Sequence, residues 1–120
     1  VLVAPHLYRD IISDLCAQLV GGLGYGCSGH IGEKLAVVEP THGSAPKHAG
    51  RNKANPIATI LAAKMMLDWL GEKDKAVRLE RATADVIEEG RIRTYDMGGN
   101  ATTLDMGKAI ADRVPLANLS

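Results

Sequence analysis

The stretch Leu35-Ala36-Val37-Val38-Glu39-Pro40-Thr41-His42-Gly43-Ser44-Ala45-Pro46-Lys47-His48-Ala49-Gly50 sets a short apolar strand, closed by Glu39-Pro40, against a run with no hydrophobic period. Residues 41–55 carry Thr, His, Gly, Pro, Lys and Asn and read as one long ordered loop. Loops of that length without secondary structure are usually functional. Pro56 then suits the first turn of a helix running to about Leu70, with Ile57, Ile60, Leu61, Met65 and Leu67 on its buried side. Strand, loop and helix in this succession place the chain in the α/β class.

Upstream, Val1 to Ala4 reads as a short buried strand ended by Pro5. A helix is expected from about Asp10 to Leu19, where Ile11, Ile12, Leu15 and Leu19 recur at helical spacing. Gly21, Gly22, Gly24 and Gly26 break the chain after it and permit positive φ. Downstream, Gly71 separates the helix ending near Leu70 from another over Lys73 to Glu89, whose broad apolar face holds Ala76, Leu79, Ala82, Val86 and Ile87. The short link favours an antiparallel pair. Arg91 to Ala101 reads as irregular, and Thr102 or Thr103 is placed to cap a last helix ending near Val114.

Composition narrows the function classes. Lys+Arg and Asp+Glu balance at 14 each, which argues against nucleic acid or a membrane surface as a partner, since both usually need a basic excess. No apolar run reaches the length of a membrane span and no signal peptide is visible. Cys16 and Cys27 lack the spacing of a zinc or redox pair and read as buried thiols in a reducing, cytoplasmic compartment. The start at Val1, directly on an apolar run, reads as the interior of a larger protein.

Two segments carry chemistry. In Asp10-Ile11-Ile12-Ser13-Asp14 the carboxylates stand at i and i+4 on one helix face. Their mutual repulsion is relieved by a divalent cation, and hard oxygen ligands suit Mg²⁺ or Mn²⁺. The competing explanation is a solvated polar face at a helix start, where Asp is favourable in any case. In Glu39 to Gly50, glycine and proline fix the backbone while His42, Lys47 and His48 add donors and charge, which suits a phosphate or nucleotide. A rigid surface loop with solvated charges is the alternative. Gly22-Leu23-Gly24-Tyr25-Gly26 follows a helix rather than a strand, so it reads as a helix stop and tight turn and not as a Rossmann fingerprint.

Tyr8, Asp10 to Asp14, Gly21-Gly22-Leu23-Gly24, Ile31-Gly32, Glu39 to Pro46, Asn55-Pro56 and Gly98-Gly99 stand in the order that resembles the isocitrate/isopropylmalate dehydrogenase family, over nearly the whole chain. The resemblance implies that family's own two-domain α/β fold, not a Rossmann fold, with residues 1–120 forming a C-terminal portion that touches both domains. It implies metal-dependent oxidation and decarboxylation of a small 2-hydroxy acid by a homodimer. Carried over by position, Asp10 and Asp14 hold Mg²⁺ or Mn²⁺, with Asp10 also helping to accept the substrate's hydroxyl proton. Glu39, Thr41, His42 and Gly43 line the cofactor, with His42 near adenine and Asn55 on its edge. Lys47, His48 and Tyr95 fall where the family reads the adenosine ribose. NAD-using relatives tend to have Asp where Lys47 stands, so Lys47 points to NADP, and isocitrate is the expected substrate. Isopropylmalate or homoisocitrate with NAD is the runner-up, and a non-catalytic nucleotide-binding or regulatory module the alternative of another class. The family's substrate-binding arginines and catalytic Tyr and Lys have no counterpart here, so the 120 residues alone are expected to be inactive.

Three positions depart from the family pattern. His6 and His30 stand where Asn is usual, and Arg9 where a small residue, usually Gly, is found. Arg9 brings bulk and positive charge beside the metal pair. It is expected to obstruct the site or to pair with Asp14 or a substrate carboxylate.

Overall fold

From Pro56 onward each helix carries an apolar face, and those faces meet. The computed structural model describes residues 2–117. Its elements are α1 (His6–Leu19), β1 (Cys27–Ile31), β2 (Ala36–Pro40), α2 (Ile57–Trp69), α3 (Lys73–Glu89) and α4 (Thr103–Arg113). Short 3₁₀ turns lie at Pro46–His48, Tyr95–Met97 and Val114–Leu116. Ile57 of α2, Ala82 and Val86 of α3, and Met106 and Ile110 of α4 form the buried core, with Tyr25, Leu61, Leu79 and Ile87 packed around it. Lys64 ties α2 to α3, lying 2.8 Å from Asp68 on its own helix and 3.3 Å from Glu80 across the gap. Arg113 of α4 donates to Glu89 at the end of α3.

β1 and β2 form a two-stranded antiparallel hairpin with Cys27 opposite Pro40 and Ile31 opposite Ala36. Helices plus this small sheet are what a portion of the family's α/β fold contains. β1 was not expected from sequence, because Cys27-Ser28-Gly29-His30 has no apolar alternation to mark it. It pairs nonetheless, and Gly29 makes room for it: a Cβ there would lie 2.9 Å from the Met65 methyl on α2.

Three expectations need correction. Residues 2–4 form no strand, and Val3 is 91% exposed. A strand needs a neighbour to take its backbone hydrogen bonds, and none lies beside it among the described residues; Val1 lies outside them. α1 begins at His6 rather than Asp10, directly after Pro5, whose carbonyl accepts the Arg9 N–H at 2.9 Å. Cys16 is exposed on α1 instead of buried, while Cys27 is half-buried against the Met65 sulfur. The apolar stripe Leu7, Ile11, Leu15 and Leu19 recurs every fourth residue as a helix face should, yet all four side chains are exposed.

The glycine-rich turn divides its labour. Gly21 and Gly22 have φ of 111° and 106°, the left-handed region. Gly24 does not; it is needed for space, since a Cβ would sit 2.8 Å from Asp96 Oδ2 and 3.1 Å from Asn55 Nδ2. No described helix is long and apolar enough to cross a membrane.

Thr102 caps α4 in a capping box: its hydroxyl accepts the Asp105 N–H at 3.1 Å, and the Asp105 carboxylate accepts the Thr102 N–H at 2.9 Å. The Thr102 N–H first, and second the Thr102 hydroxyl, which also donates to the same carboxylate oxygen at 2.7 Å, hold the Asp105 carboxyl below its ordinary value of 3.8. Because the folded-state value is the depressed one, the stabilisation is present above the ordinary value and is lost as pH falls through the lower one. Thr102→Ala should lower stability by about 0.5–2 kcal/mol in urea unfolding near neutral pH. The gap from wild type should narrow through that acid window; a gap that stays constant with pH contradicts the assignment.

Candidate functional site

Residues 41–55 are held at both ends by hydrogen bonds. The Asn55 side-chain oxygen accepts the Ile57 N–H at 3.0 Å, and the Gly24 carbonyl accepts the Ala58 N–H at 3.0 Å, so the first turn of α2 is satisfied by the loop and the glycine turn. Asn55 Nδ2 donates to Asp96 at 2.9 Å, and the Thr94 hydroxyl donates to the other Asp96 oxygen at 2.5 Å. Asn52, in the left-handed conformation at φ 51°, takes the Leu104 N–H on its side chain and the Thr103 N–H on its carbonyl, both at 3.0 Å. At the other end, the Thr41 hydroxyl and N–H both donate to the Gly26 carbonyl at 3.0 Å.

The loop so fixed separates two open clefts. One, of about 950 Å³, lies between α1 and the hairpin and is lined by Asp10, Asp14, Glu39, Thr41, His42 and Gly43. The other, of about 480 Å³, is lined by Gly24, His48, Asn55, Tyr95 and Asp96, again with His42 and Gly43. The two clefts adjoin at His42 and Gly43, which line both. Together these adjoining clefts form a groove surface that gathers every candidate residue from the sequence except Lys47, which is exposed and lines neither cleft.

Asp10 is the fifth residue of α1, not its first, and no acidic residue lies in the helix's first turn. Helix-dipole attraction therefore does not explain the carboxylates, because it fades beyond the first turn. Mg²⁺ is commonly held by one or two carboxylates with water and substrate oxygens completing the shell, and this donor pair fits that description. No group of three or more His, Cys, Asp or Glu suited to a metal occurs among the described residues, so further ligands must come from substrate, solvent or other chain. Arg9 does not pair with Asp14, as one expectation had it. Its guanidinium donates to Asp10 Oδ1 at 3.0 Å, and His6 Nε2 lies 3.2 Å from Asp10 Oδ2. Across the hairpin, His30 approaches Glu39 to 3.8 Å from a diagonal position on the same sheet face.

In the second cleft the rings of His48 and Tyr95 lie 5.5 Å apart, and the Lys53 ammonium stands 4.6 Å over the Tyr95 ring. His42 Nε2 and His48 Nδ1 are buried with no hydrogen-bond partner among the described residues. Buried polar atoms of this kind nearly always have a partner, so the groove fits a polar ligand such as a nucleotide. Asp96 and Lys53 escaped the sequence reading. Asp96 sits in an irregular segment with no motif of its own, and only its contact with Asn55 reveals it. Tyr25, half-buried beside Asp96, has its phenol pushed up by burial and then by that carboxylate, with Arg93 opposing.

The family model of isocitrate/isopropylmalate dehydrogenases matches residues 1–110. The chain is 54% identical over 112 residues to an isocitrate/homoisocitrate dehydrogenase of Thermus thermophilus, covering 93% of this chain and 33% of the relative. It is 50% identical over 114 residues to a probable NAD isocitrate dehydrogenase subunit alpha of Caenorhabditis elegans, covering 95% and 32%. A crystal structure of isocitrate dehydrogenase from Methylococcus capsulatus superposes with a TM-score of 0.85 at 47% identity, over 90% of this chain and 32% of that one. The chain thus spans about a third of the length of the curated relatives it matches. With this sequence match, this superposition and a groove that collects its scattered motifs, the chain belongs to the isocitrate/isopropylmalate dehydrogenase family.

Proposed function

We propose that this chain supplies the metal-ligand pair and much of the cofactor groove of a longer enzyme that oxidises and decarboxylates isocitrate with NADP. The observation that carries the reading is the pair of clefts adjoining at His42 and Gly43, which sets the Asp10–Asp14 pair beside two buried histidine nitrogens with no partner among the described residues. Asp10 and Asp14 would hold Mg²⁺ or Mn²⁺. A cation held there would supply Lewis acidity toward the substrate's oxygens, and a nicotinamide held in the cofactor clefts would supply the hydride acceptor. Asp10 helps to accept the hydroxyl proton. Glu39, Thr41 and Gly43 line the passage between the carboxylates and the second cleft, and His42 offers its free Nε2 at the junction. Asn55 has committed its oxygen to α2 and one N–H to Asp96, which leaves one N–H for the adenine edge.

The exposed apolar stripe of α1 supports burial against further chain of the same enzyme, in this subunit or across a dimer. The 120 residues alone are accordingly expected to show no turnover. The relative named isocitrate/homoisocitrate dehydrogenase favours homoisocitrate as the second candidate substrate.

Asp14→Asn in the longer enzyme should strongly reduce metal-dependent activity and raise the Mn²⁺ concentration needed for half-maximal rate. Unchanged rate and metal requirement would remove Asp14 from the site.

NADP is favoured over NAD by the basic groups around Tyr95. His48 and Lys53 flank its ring, and Lys47 is the neighbour of His48 in the same turn. A hydrogen bond to a charged group is worth about 1.5–3 kcal/mol, roughly a 10- to 150-fold preference for each contact to the extra phosphate. The comparison of kcat/KM for NADP and NAD, before and after Lys47→Asp, tests this. Wild type should prefer NADP, and the substitution should move the ratio toward NAD. A wild-type preference for NAD, in line with the relatives named as NAD enzymes, or an unmoved ratio would overturn the NADP assignment.

A further inference from the structure

We propose that Arg9 is an internal competitor for the divalent cation at Asp10, so that metal binding requires the Arg9–Asp10 pair to open. The proposal rests on the reading of Asp10 and Asp14 as the metal pair. Arg9 reaches Asp10 Oδ1 with both Nε, at 3.3 Å, and a terminal nitrogen, at 3.0 Å. The same terminal nitrogen lies 3.0 Å from His6 Nδ1. An arginine only donates, so Nδ1 accepts and the neutral ring carries its proton on Nε2, which faces Asp10 Oδ2 at 3.2 Å. Both oxygens of Asp10 are therefore covered by donors from its own helix. The Asp14 carboxylate has no hydrogen bond or ion pair among the described residues.

This arrangement is asymmetric in a way that bare spacing does not require. Adjacent helix residues do not face one another, so the guanidinium has to bend round to reach Asp10. A divalent ion arriving at Asp10 meets a covered carboxylate and a fixed positive charge beside it. Either the guanidinium leaves or the ion binds less tightly. The pair is about half exposed, with side-chain accessibilities of 48% for Arg9 and 54% for Asp10, so it remains free to open. Arg9 thus sets the cation concentration at which the site fills, and once released it stands next to the site as a cation free to meet an acidic substrate.

The test is direct titration of Mn²⁺ on the intact protein, following free Mn²⁺ by electron paramagnetic resonance without substrate or turnover. Arg9→Gln should tighten Mn²⁺ binding roughly five- to twenty-fold, the range given by removing one nearby exposed positive charge and its ion pair. Arg9→Met, which keeps the stem and drops the charge, should do the same and guards against a folding artefact in either variant. Arg9→Lys should stay closer to wild type. Equal or weaker binding in both Arg9→Gln and Arg9→Met overturns the competition. Asp14→Asn separates the two claims. If it abolishes Mn²⁺ binding while Arg9→Gln changes nothing, only the competition is wrong; if it leaves binding untouched, the metal-site reading fails and this inference with it.

Discussion

One buried amide ties the site to the fold. Asn55, 7% exposed, spends its oxygen on the first N–H of α2 and an N–H on Asp96, so a single side chain joins the long loop, the first core helix and the Tyr95 segment. Buried amides nearly always have partners, and this register of loop against helix supplies two of them. Gly24 has to lack a side chain for the same reason, because any Cβ would press on both partners. The groove is therefore a consequence of how α2 begins. Asn52 repeats the device on α4, so the loop is anchored to two core helices by polar contacts rather than by apolar packing.

The other wall of the groove is built differently. α1 buries Ala17 alone and leaves its leucine and isoleucine stripe open, so its position relies on the turn at Gly21–Gly22 and not on a packed face. Its polar side carries two carboxylates with opposite circumstances: Asp10 is held by Arg9 and His6, while the Asp14 carboxylate has no partner among the described residues. Charge placed this way is poised for exchange, since an exposed ion pair contributes little stability and opens readily. The rigid wall suits a cofactor that needs fixed donors; the loosely held wall suits a cation whose shell is completed by substrate.

Sequence periodicity was sufficient for α2, α3 and α4, because their apolar faces meet one another within this chain. It misjudged the first strand and the burial of Cys16, because an apolar pattern says that a face needs a partner without saying that the partner is near. β1 escaped because glycine and polar residues leave no alternation, and its pairing comes from β2 and from the space at Gly29. Candidate site residues were legible chiefly through the order of motifs shared with a family. Spacing alone left Asp10 and Asp14 ambiguous, and the start of α1 at His6 removes only the helix-dipole explanation for them. The partners that complete the picture, Asp96 to Asn55 and Arg9 to Asp10, are contacts, and no single residue announces a contact.

The account makes the Asn55 amide the feature that organises the cofactor groove, and Asn55→Asp isolates that role. The aspartate keeps an oxygen for the Ile57 N–H but sets a carboxylate against Asp96 where a donor had been. Affinity of the intact protein for its nicotinamide nucleotide, measured by isothermal titration calorimetry alongside urea unfolding, is the decisive quantity. Loss of the N–H offered to the adenine edge predicts a fall of about two- to ten-fold in affinity, and the carboxylate now facing Asp96 lowers stability while the cap oxygen is kept. Nucleotide binding at wild-type affinity in a folded Asn55→Asp variant would contradict that role.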